Sequence, residues 1–434
     1  MAKNNHKSPD ITLNLNVRGL KQSATLRINE LSNGLIREGK NVYKMGLGQS
    51  PFPVPEIVQE ELRANAHQKD YLPVLGLREL RGVISNYLRK RHGVAYSPNN
   101  IMVSPGSKEL MFILQLVCYG DLVIPTPSWV SYAPQASIVG RNIYWLKTTA
   151  ANKWKIDPDE IKQLCKSDPK RPRVMILNYP ANPTGGSYTE KEIKELAKVA
   201  QKYGIILLSD EIYGEIHHTG SHVSIARFYP EGTIISTGLS KWCGAGGWRL
   251  GVFAFPKPLT WLKDAMAVVA SETYTSTSAP IQYAAVRAFK GGSALENYLC
   301  HSRRILRGLG KLLFEKLRQA DVNVAFPDGG FYLFPDFENY RSSLNAKGIY
   351  YSDQLSERLL KETGVAALPG SDFGRPREEL TLRLSYVDFD GARALAESYQ
   401  VPLHQELDTS FFNQHTLNCC AAIDRLIQWL EASR

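Results

Sequence analysis

The sequence predicts an α/β fold, with a large domain built on a mostly parallel sheet flanked by helices and a smaller α+β domain. Two observations carry this prediction. Short β-branched apolar runs alternate with helical patterns through the middle of the chain, which is typical of parallel sheets covered on both faces. From about residue 305 the pattern changes to long amphipathic helices with short strands, which indicates a second unit.

Residues 46–56 are rich in Gly and Pro and cannot form the interior of a helix. This stretch separates an amino-terminal arm from the central region. We therefore expect residues 1–49 to form the arm and part of the small domain, residues 50–305 the large domain, and residues 306–434 the small domain.

The central elements are the most clearly marked. Residues 173–178 form a buried apolar run, and the next helix has Thr189 as a cap, Glu192 three residues later, and Gly204 at its end. These features predict one strand–helix unit. Further strands are predicted at 205–210, 233–237 and 250–255 in the large domain, and at 330–334 and 380–385 in the small domain, with a closing helix at 416–433.

The composition excludes several protein classes. The 434 residues are 43% hydrophobic, with ordinary Gly and Pro contents, which excludes a disordered, collagen-like or coiled-coil chain. No apolar run approaches the roughly 18 residues that span a bilayer, so no membrane partner is expected. The amino terminus carries no apolar segment of the kind that a secretory signal needs, and we expect a cytoplasmic protein.

The net charge of +10 raises the question of an anionic partner. The basic residues are dispersed and lack interleaved aromatic residues or a nucleic-acid-binding motif, so no nucleic-acid partner is expected. The six Cys form no CxxC pair and are expected to be reduced thiols. His217, His218 and His222 lie close in sequence, but no acidic or Cys cluster completes a metal-ligand spacing, so no metal is expected.

Candidate reactive residues follow the predicted strands, where ligands bind in parallel sheets. Asn182 lies in the turn after the first strand, and Asp210 and Tyr213 follow the second. Lys241 lies in a Gly-rich stretch after the third, eight residues before Arg249. A Lys flanked by Gly, small residues and Trp is expected to be buried with a lowered pKa, which makes its amine a nucleophile. Together, these groups suit pyridoxal phosphate, which needs a Lys, an acidic partner for its ring nitrogen and a phosphate cradle.

The motifs resemble a known family. Residues 238–251 (GLSKWCGAGGWRLG) are similar at every constrained position to the Lys-containing signature of class I/II aminotransferases, the fold type I pyridoxal-phosphate enzymes. Residues 182–185 (NPTG) and 210–213 (DEIY) resemble two preceding family motifs in the expected order. Further similar segments lie at 71–80, 105–109, 127–132, 369–374 and 382–385, so that the resemblance covers roughly residues 25–400.

The resemblance implies roles around the cofactor ring. Lys241 would form the Schiff base and then move the proton of the substrate, and Asp210 would pair with the ring nitrogen. Tyr213 and Asn182 would hydrogen-bond the 3′-oxygen, and Trp129 would stack on the ring; Trp129 and Asn182 would also contact the substrate.

The resemblance further implies a phosphate site and a substrate clamp. Arg249, Ser107 and the backbone at Gly106 would hold the phosphate, and Ser240 would either contact it or fit a tight turn. Tyr71 would reach the phosphate of a neighbouring subunit, which implies a homodimer with the active site at the subunit interface. Arg383 would bind the substrate α-carboxylate, and Gly48 lies in the arm that closes over the substrate. Gly238 departs from relatives that carry a phosphate-binding Ser there.

Lys108 is the one residue that bears on the side chain of the substrate. Residues 106–109 resemble the Gly-x-Lys segment of bacterial aspartate and prephenate aminotransferases, where this Lys recognises a distal carboxylate. Lys108 would therefore favour an aspartate- or glutamate-like substrate, and it would also lie beside the cofactor. In the alternative interpretation, Lys108 is a solvated helix residue, and the enzyme acts on aromatic or neutral amino acids.

The leading interpretation is a ping-pong aminotransferase acting on an amino acid and a 2-oxo acid. One alternative keeps the fold and cofactor but changes the reaction to that of a lyase or synthase. A second alternative is a cofactor-sensing transcription regulator, which is disfavoured because the roughly 45 residues before Gly46 are too few for a DNA-binding domain and its linker.

Overall fold

The computed structural model describes residues 14–20, 22 and 24–433. The first 13 residues, on which the expectation about a secretory signal rests, lie outside the described residues, as does part of the predicted arm. Among the residues described, no helix is long and apolar enough to cross a membrane. All six Cys are free thiols, as the sequence predicts.

A seven-stranded sheet forms the centre of the molecule, in the strand order 1-7-6-5-4-2-3. Its strands are β1 (Ile101–Ser104), β2 (Asp121–Thr126), β3 (Ile143–Lys147), β4 (Arg173–Asn178), β5 (Ile206–Asp210), β6 (Thr233–Gly238) and β7 (Gly251–Ala254). Strands β3, β2, β4, β5 and β6 run parallel, and β7 is antiparallel to both of its neighbours. The mostly parallel sheet is thereby confirmed. The chain enters β7 from β6 without a crossover helix, and a short return of this kind gives an antiparallel pair.

Helices cover both faces of this sheet. The helices that precede or follow these strands are α1 (Ala24–Arg37), α2 (Glu56–Asn65), α3 (Arg78–His92), α4 (Ser107–Val117), α5 (Tyr132–Ile138), α6 (Pro158–Lys166), α7 (Glu190–Lys202), α8 (Thr260–Glu272) and α9 (Ala279–Lys290). Along β4, Met175 and Leu177 pack with α6 and α7, whereas Ile176 packs with α4 and α8. This alternation follows from the two-residue period of a strand, and it explains why the strand is apolar throughout.

The start of α7 agrees with the prediction in detail. The Thr189 hydroxyl accepts the backbone N–H of Glu192, and the Glu192 carboxylate accepts the backbone N–H of Thr189, so the capping box is complete. Ile193, Leu196 and Ala197 face the core.

A second, smaller sheet in the order 8-10-9 is antiparallel throughout. Its strands are β8 (Tyr332–Leu333), β9 (Leu368–Pro369) and β10 (Leu382–Ser385), and the helices of this part are α10 (Ser293–Gln319), α11 (Arg341–Ala346), α12 (Ser352–Thr363), α13 (Gly391–Tyr399), α14 (Thr409–His415) and α15 (Leu417–Glu431). The predicted α+β layer and closing helix are confirmed. The 27-residue helix α10 runs through residue 305, where the sequence pattern changes.

Candidate active site

A cavity of about 310 Å³ lies where β4, β5 and β6 end. Nine of the residues singled out in the sequence line it, together with Asn178 and Ile212. Its lining residues are Ser107, Lys108, Trp129, Asn178, Asn182, Asp210, Ile212, Tyr213, Ser240, Lys241 and Arg249. Three of these carry a cationic group and one a carboxylate, so the cavity favours an anionic ligand.

Asp210 ends β5 and is 3% exposed. The Tyr132 hydroxyl donates to its Oδ2 at 2.5 Å, and the Ser236 hydroxyl lies 3.4 Å from its Oδ1. Burial raises the pKa of Asp210 to about 6, while the hydrogen bond from Tyr132 opposes this rise. At neutral pH the cavity therefore holds a carboxylate ready to accept a proton or a hydrogen bond.

Lys241 follows β6, and its Nζ donates to the backbone oxygen of Gly48 at 2.6 Å. The amine lies 5.6 Å from the ring centre of Tyr213. Burial and then the positive charge of Arg383 lower the pKa of Lys241 to about 8, whereas Asp210 opposes the shift. A larger fraction of this amine is neutral, and hence nucleophilic, near pH 8 than of an ordinary Lys.

Arg383 in β10 is 1% exposed and reaches the site from the small sheet. Its Nη1 donates to Asn182 Oδ1 at 3.1 Å, and its Nη2 donates to the Gly46 oxygen at 2.5 Å. Its Nε has no hydrogen-bond partner among the described residues. The Arg383 guanidinium thus holds both Asn182 and Gly46 of the Gly-rich arm. Arg383 and Gly48 lie next to the cavity residues but do not line the cavity themselves.

The turn between β1 and α4 forms a cradle for an anion. Gly106 has a φ of +91°, and a Cβ there would overlap the guanidinium of Arg249. The first turn of α4 begins at Ser107 and presents unpaired backbone N–H groups and the positive end of the helix dipole. Arg249 donates to the Gly246 oxygen at 2.9 Å and remains exposed. This arrangement suits a phosphate group.

The lack of a side chain at position 238 has a structural reason. A Cβ there would lie 2.6 Å from the backbone oxygen of Leu250, the residue just before β7. A Ser at this position would require the two strands to shift, so the hydroxyl found in some relatives does not fit this backbone. Ser240, which is partly exposed, lines the cavity instead.

Lys108 and Trp129 face each other at the cavity. The Nζ of Lys108 lies 5.0 Å from the ring centre of Trp129, and the edge of Tyr132 packs against Trp129 at 5.2 Å. Loss of hydration and then the charge of Arg249 lower the pKa of Lys108. Tyr71 is the one predicted residue that lies apart from this group; it does not line the cavity, and 89% of it is exposed.

Sequence reasoning assigned no role to four residues that contact the predicted ones. Tyr132 and Ser236 bond to the Asp210 carboxylate, Asn178 donates to the Asp210 backbone oxygen at 2.8 Å, and the Tyr332 hydroxyl lies 2.8 Å from that of Tyr213. Ser236 and Asn178 sit in strands next to Asp210, so their closeness could have been found from the strand order. Tyr132 and Tyr332 had no such signal, because they come from a helix start and from the second sheet.

The sequence spacing offers no acidic or Cys cluster to complete a ligand set with His217, His218 and His222, but the fold brings Glu211 and His92 to His222. Its Nε2 lies 2.8 Å from Oε2 of Glu211, and His92 Nδ1 lies 3.8 Å from the same oxygen. Metal-bound imidazoles almost always have a partner at the other ring nitrogen, but His222 Nδ1 is buried with none among the described residues. Hydrogen bonds from Ser209 and Ser224 already satisfy Glu211 Oε1. Glu211 and His222 therefore form a buried hydrogen-bonded pair whose contacts suit a structural role.

Comparison with known proteins agrees with this fold. The model of the class I and II aminotransferases matches residues 39–398. An aspartate aminotransferase of Geobacillus stearothermophilus is 34% identical over 380 residues, covering 85% of this chain and 93% of that protein. An aspartate/prephenate aminotransferase of Thermus thermophilus is 30% identical over 366 residues, covering 83% of this chain and 91% of that protein. The solved structure of the Thermus thermophilus aspartate aminotransferase with maleate superimposes with a TM-score of 0.81 at 27% identity, covering 96% of this chain and 99% of that one.

The fold and these matches therefore define an aminotransferase, of a family that depends on pyridoxal phosphate. The chain belongs to the class I and II aminotransferase family. The comparisons give no support to the lyase or synthase alternative over this reading, since these two relatives, at 34% and 30% identity, are named as aminotransferases.

Proposed function

We propose that this aminotransferase binds pyridoxal phosphate at Lys241 and uses aspartate, or a similar dicarboxylic amino acid, as its amino donor. The single observation that carries the proposal is one cavity of about 310 Å³ lined by the Lys241 amine, the Asp210 carboxylate and the Lys108 ammonium. The first two groups serve the cofactor and the third serves the substrate side chain.

The residues present fit this cofactor. The cradle at Gly106 leaves no room for a side chain between the backbone and the Arg249 guanidinium, and α4 directs backbone N–H groups there. Arg249 and Ser107 would hold the phosphate with Ser240 beside them, and Trp129 would stack on the ring. When bound, pyridoxal phosphate supplies an electron sink for the bonds at the substrate α-carbon.

The side chains of this protein have separate tasks around that ring. Lys241 would hold the cofactor covalently and afterwards carry the proton that leaves the substrate α-carbon. Asp210 would accept the hydrogen bond of the ring nitrogen, and its pKa of about 6 keeps it ionised at neutral pH. Asn182 and Tyr213 would donate to the ring oxygen.

The substrate would be held by two cations. Arg383 carries a planar guanidinium suited to the α-carboxylate, and its contacts with Asn182 and Gly46 fix its plane before the substrate arrives. Lys108 would bind the distal carboxylate. The structural relative from Thermus thermophilus was solved with maleate, which is a dicarboxylate, and this supports the choice.

The active unit in this proposal is a homodimer in the cytoplasm. Tyr71 is 89% exposed and far from fully packed, as suits a side chain that reaches the phosphate of a partner subunit. The six free thiols suit a reducing compartment. The Gly48 arm, held to Lys241, would close over the substrate.

The visible absorbance spectrum tests the proposal. Purified protein supplied with pyridoxal phosphate should show a yellow band, and addition of aspartate or glutamate should convert it to the band of the aminated cofactor. Bleaching by another amino acid alone would keep the aminotransferase and remove the dicarboxylate preference. A protein that stays colourless would contradict the role of Lys241.

Replacing Lys108 with Ala tests the substrate assignment. We expect kcat/KM for aspartate to fall by about 10- to 100-fold, because one charge-assisted hydrogen bond is lost, while alanine and phenylalanine lose about threefold or less. Steady-state kinetics with the three donors measure this. Lys69→Ala, at an exposed site, is the control. Since Lys108 also lies over Trp129, equal losses for all three donors would assign it to the cofactor instead.

A further inference from the structure

Tyr332 lies among four of the predicted site residues, although no role was assigned to it. Its hydroxyl is 2.8 Å from that of Tyr213 and 3.5 Å from Asn182 Nδ2. Its ring lies 4.8 Å from the guanidinium carbon of Arg383, and a Cβ added to Gly48 would overlap its hydroxyl. Only 1% of the residue is exposed, so protein groups enclose it.

The position of Tyr332 is fixed by the second sheet. It opens β8, where its register partner is Ser385 on β10, two residues from Arg383. Tyr213 follows β5 of the large sheet. The hydrogen bond between the two phenols therefore joins the sheet that carries Arg383 to the sheet that carries Asp210.

The proton of either Tyr can form the bond between the two hydroxyls, and two neighbours of Tyr332 bear on which residue donates. Asn182 Nδ2 can only donate, so the Tyr332 oxygen accepts from that side and has its own proton available for Tyr213. Arg383 over the Tyr332 ring favours this donation, because its positive charge opposes the rise that burial causes in the pKa of Tyr332. Tyr213 lines the cavity and Tyr332 does not. A Tyr213 oxygen that accepts from Tyr332 leaves its own proton free to point into the cavity.

We propose that Tyr332 is a positioning residue that aims the Tyr213 hydroxyl at the ring oxygen of the cofactor and strengthens it as a donor. Chained hydrogen bonds polarise one another, so a Tyr213 that accepts a bond donates a stronger one. This proposal rests on the proposed function, since it requires the cofactor at Lys241.

The test is the pH midpoint of the visible band of the holoenzyme in Tyr332→Phe. A weaker bond from Tyr213 to the ring oxygen leaves the nitrogen that joins Lys241 to the cofactor more basic. We expect the midpoint to rise by less than it does in Tyr213→Phe, with an upper limit of about one pH unit, the size of one neutral hydrogen bond. Tyr386→Phe is the matched control, because Tyr386 is also fully buried and does not line the cavity. Its hydroxyl donates to the Gly330 backbone oxygen at 3.5 Å and to no other group among the described residues, so its midpoint should equal that of the wild type.

A second variant separates positioning from direct action. Tyr213→Phe should also raise the midpoint, and adding Tyr332→Phe to it should change the midpoint by less than about 0.2 unit, because the partner through which Tyr332 acts is gone. Additive shifts would overturn the proposal, as would an unshifted Tyr332→Phe. A wild-type protein without any visible band would instead contradict the proposed function itself.

Discussion

Lys241→Ala should abolish the visible band and reduce turnover by at least about 10⁴-fold. The amine combines two tasks, a covalent hold on the cofactor and proton transfer, and proton transfer by one positioned group alone contributes about 10²- to 10⁴-fold. The Lys241 amine also has a pKa of about 8, so it is better suited to both tasks than any solvated Lys. Absorbance titration with pyridoxal phosphate and single-turnover kinetics measure the two losses.

Lys263→Ala is the matched control. Lys263 is also buried, but its Nζ donates to the backbone oxygen of Asn99 and pairs with Asp264, away from the cavity. It should retain the visible band and most of the activity. A Lys241→Ala protein that still forms the band would require another amine to hold the cofactor, and Lys108 would be the one to examine, because it lines the same cavity.

The strand ends of the large sheet were predictable because they obey a local rule. Apolar runs fix β4, β5 and β6, and the residues after each run meet at one edge of a parallel sheet. Asn182, Asp210, Tyr213 and Lys241 therefore come together as expected. Their chemistry could be predicted from residue type and order, without knowledge of any distance.

Contacts between residues far apart in the sequence could not be predicted in this way. Tyr132 and Asp210 are 78 residues apart, and Tyr213 and Tyr332 are 119 apart. Their pairing depends on how α5 begins and on how β8 meets β10. The sequence marks the segments 127–132 and 330–334, but it does not indicate which residues their Tyr side chains contact. The Glu211–His222 bond was missed for a similar reason: His222 lies in a loop whose path is set by packing against α3 and β5.

Tyr132 shows what the missing contacts do. A carboxylate with 3% exposure and no hydrogen bond would be protonated near neutral pH. The bond from Tyr132 opposes the effect of burial, and the resulting pKa of about 6 leaves Asp210 ionised at pH 7. Hydrogen bonds from the Ile212 backbone and Ser236 lower the pKa in the same direction, so the ionised state of Asp210 depends on neighbours to which the sequence analysis gave no role.

Asp210→Asn removes the negative charge of this side chain but keeps its size and one oxygen, so it distinguishes the effect of the charge from that of the shape. We expect the cofactor still to bind, because Asn keeps an oxygen for the Tyr132 hydroxyl, while turnover falls by about 10²- to 10³-fold because the ring nitrogen loses its charged partner. Burst kinetics with aspartate and the cofactor dissociation constant measure the two quantities. Asp328→Asn is the control, since this partly buried carboxylate accepts the Ser187 N–H at 2.9 Å and does not line the cavity.

The thermal stability of Asp210→Asn without cofactor gives an independent test of whether Asp210 is ionised in the folded protein. The pKa of Asp210 in the folded protein, about 6, is above its ordinary value of 3.8, so ionisation of Asp210 lowers the stability of the folded state as pH rises from about 4 through 6. Asn carries no such cost, so Asp210→Asn without cofactor should unfold at the same or a higher temperature than the wild type at pH 7. Below pH 4 the difference should vanish. A variant that loses activity together with stability would show that Asp210 holds the fold, and unchanged turnover would remove it from the site.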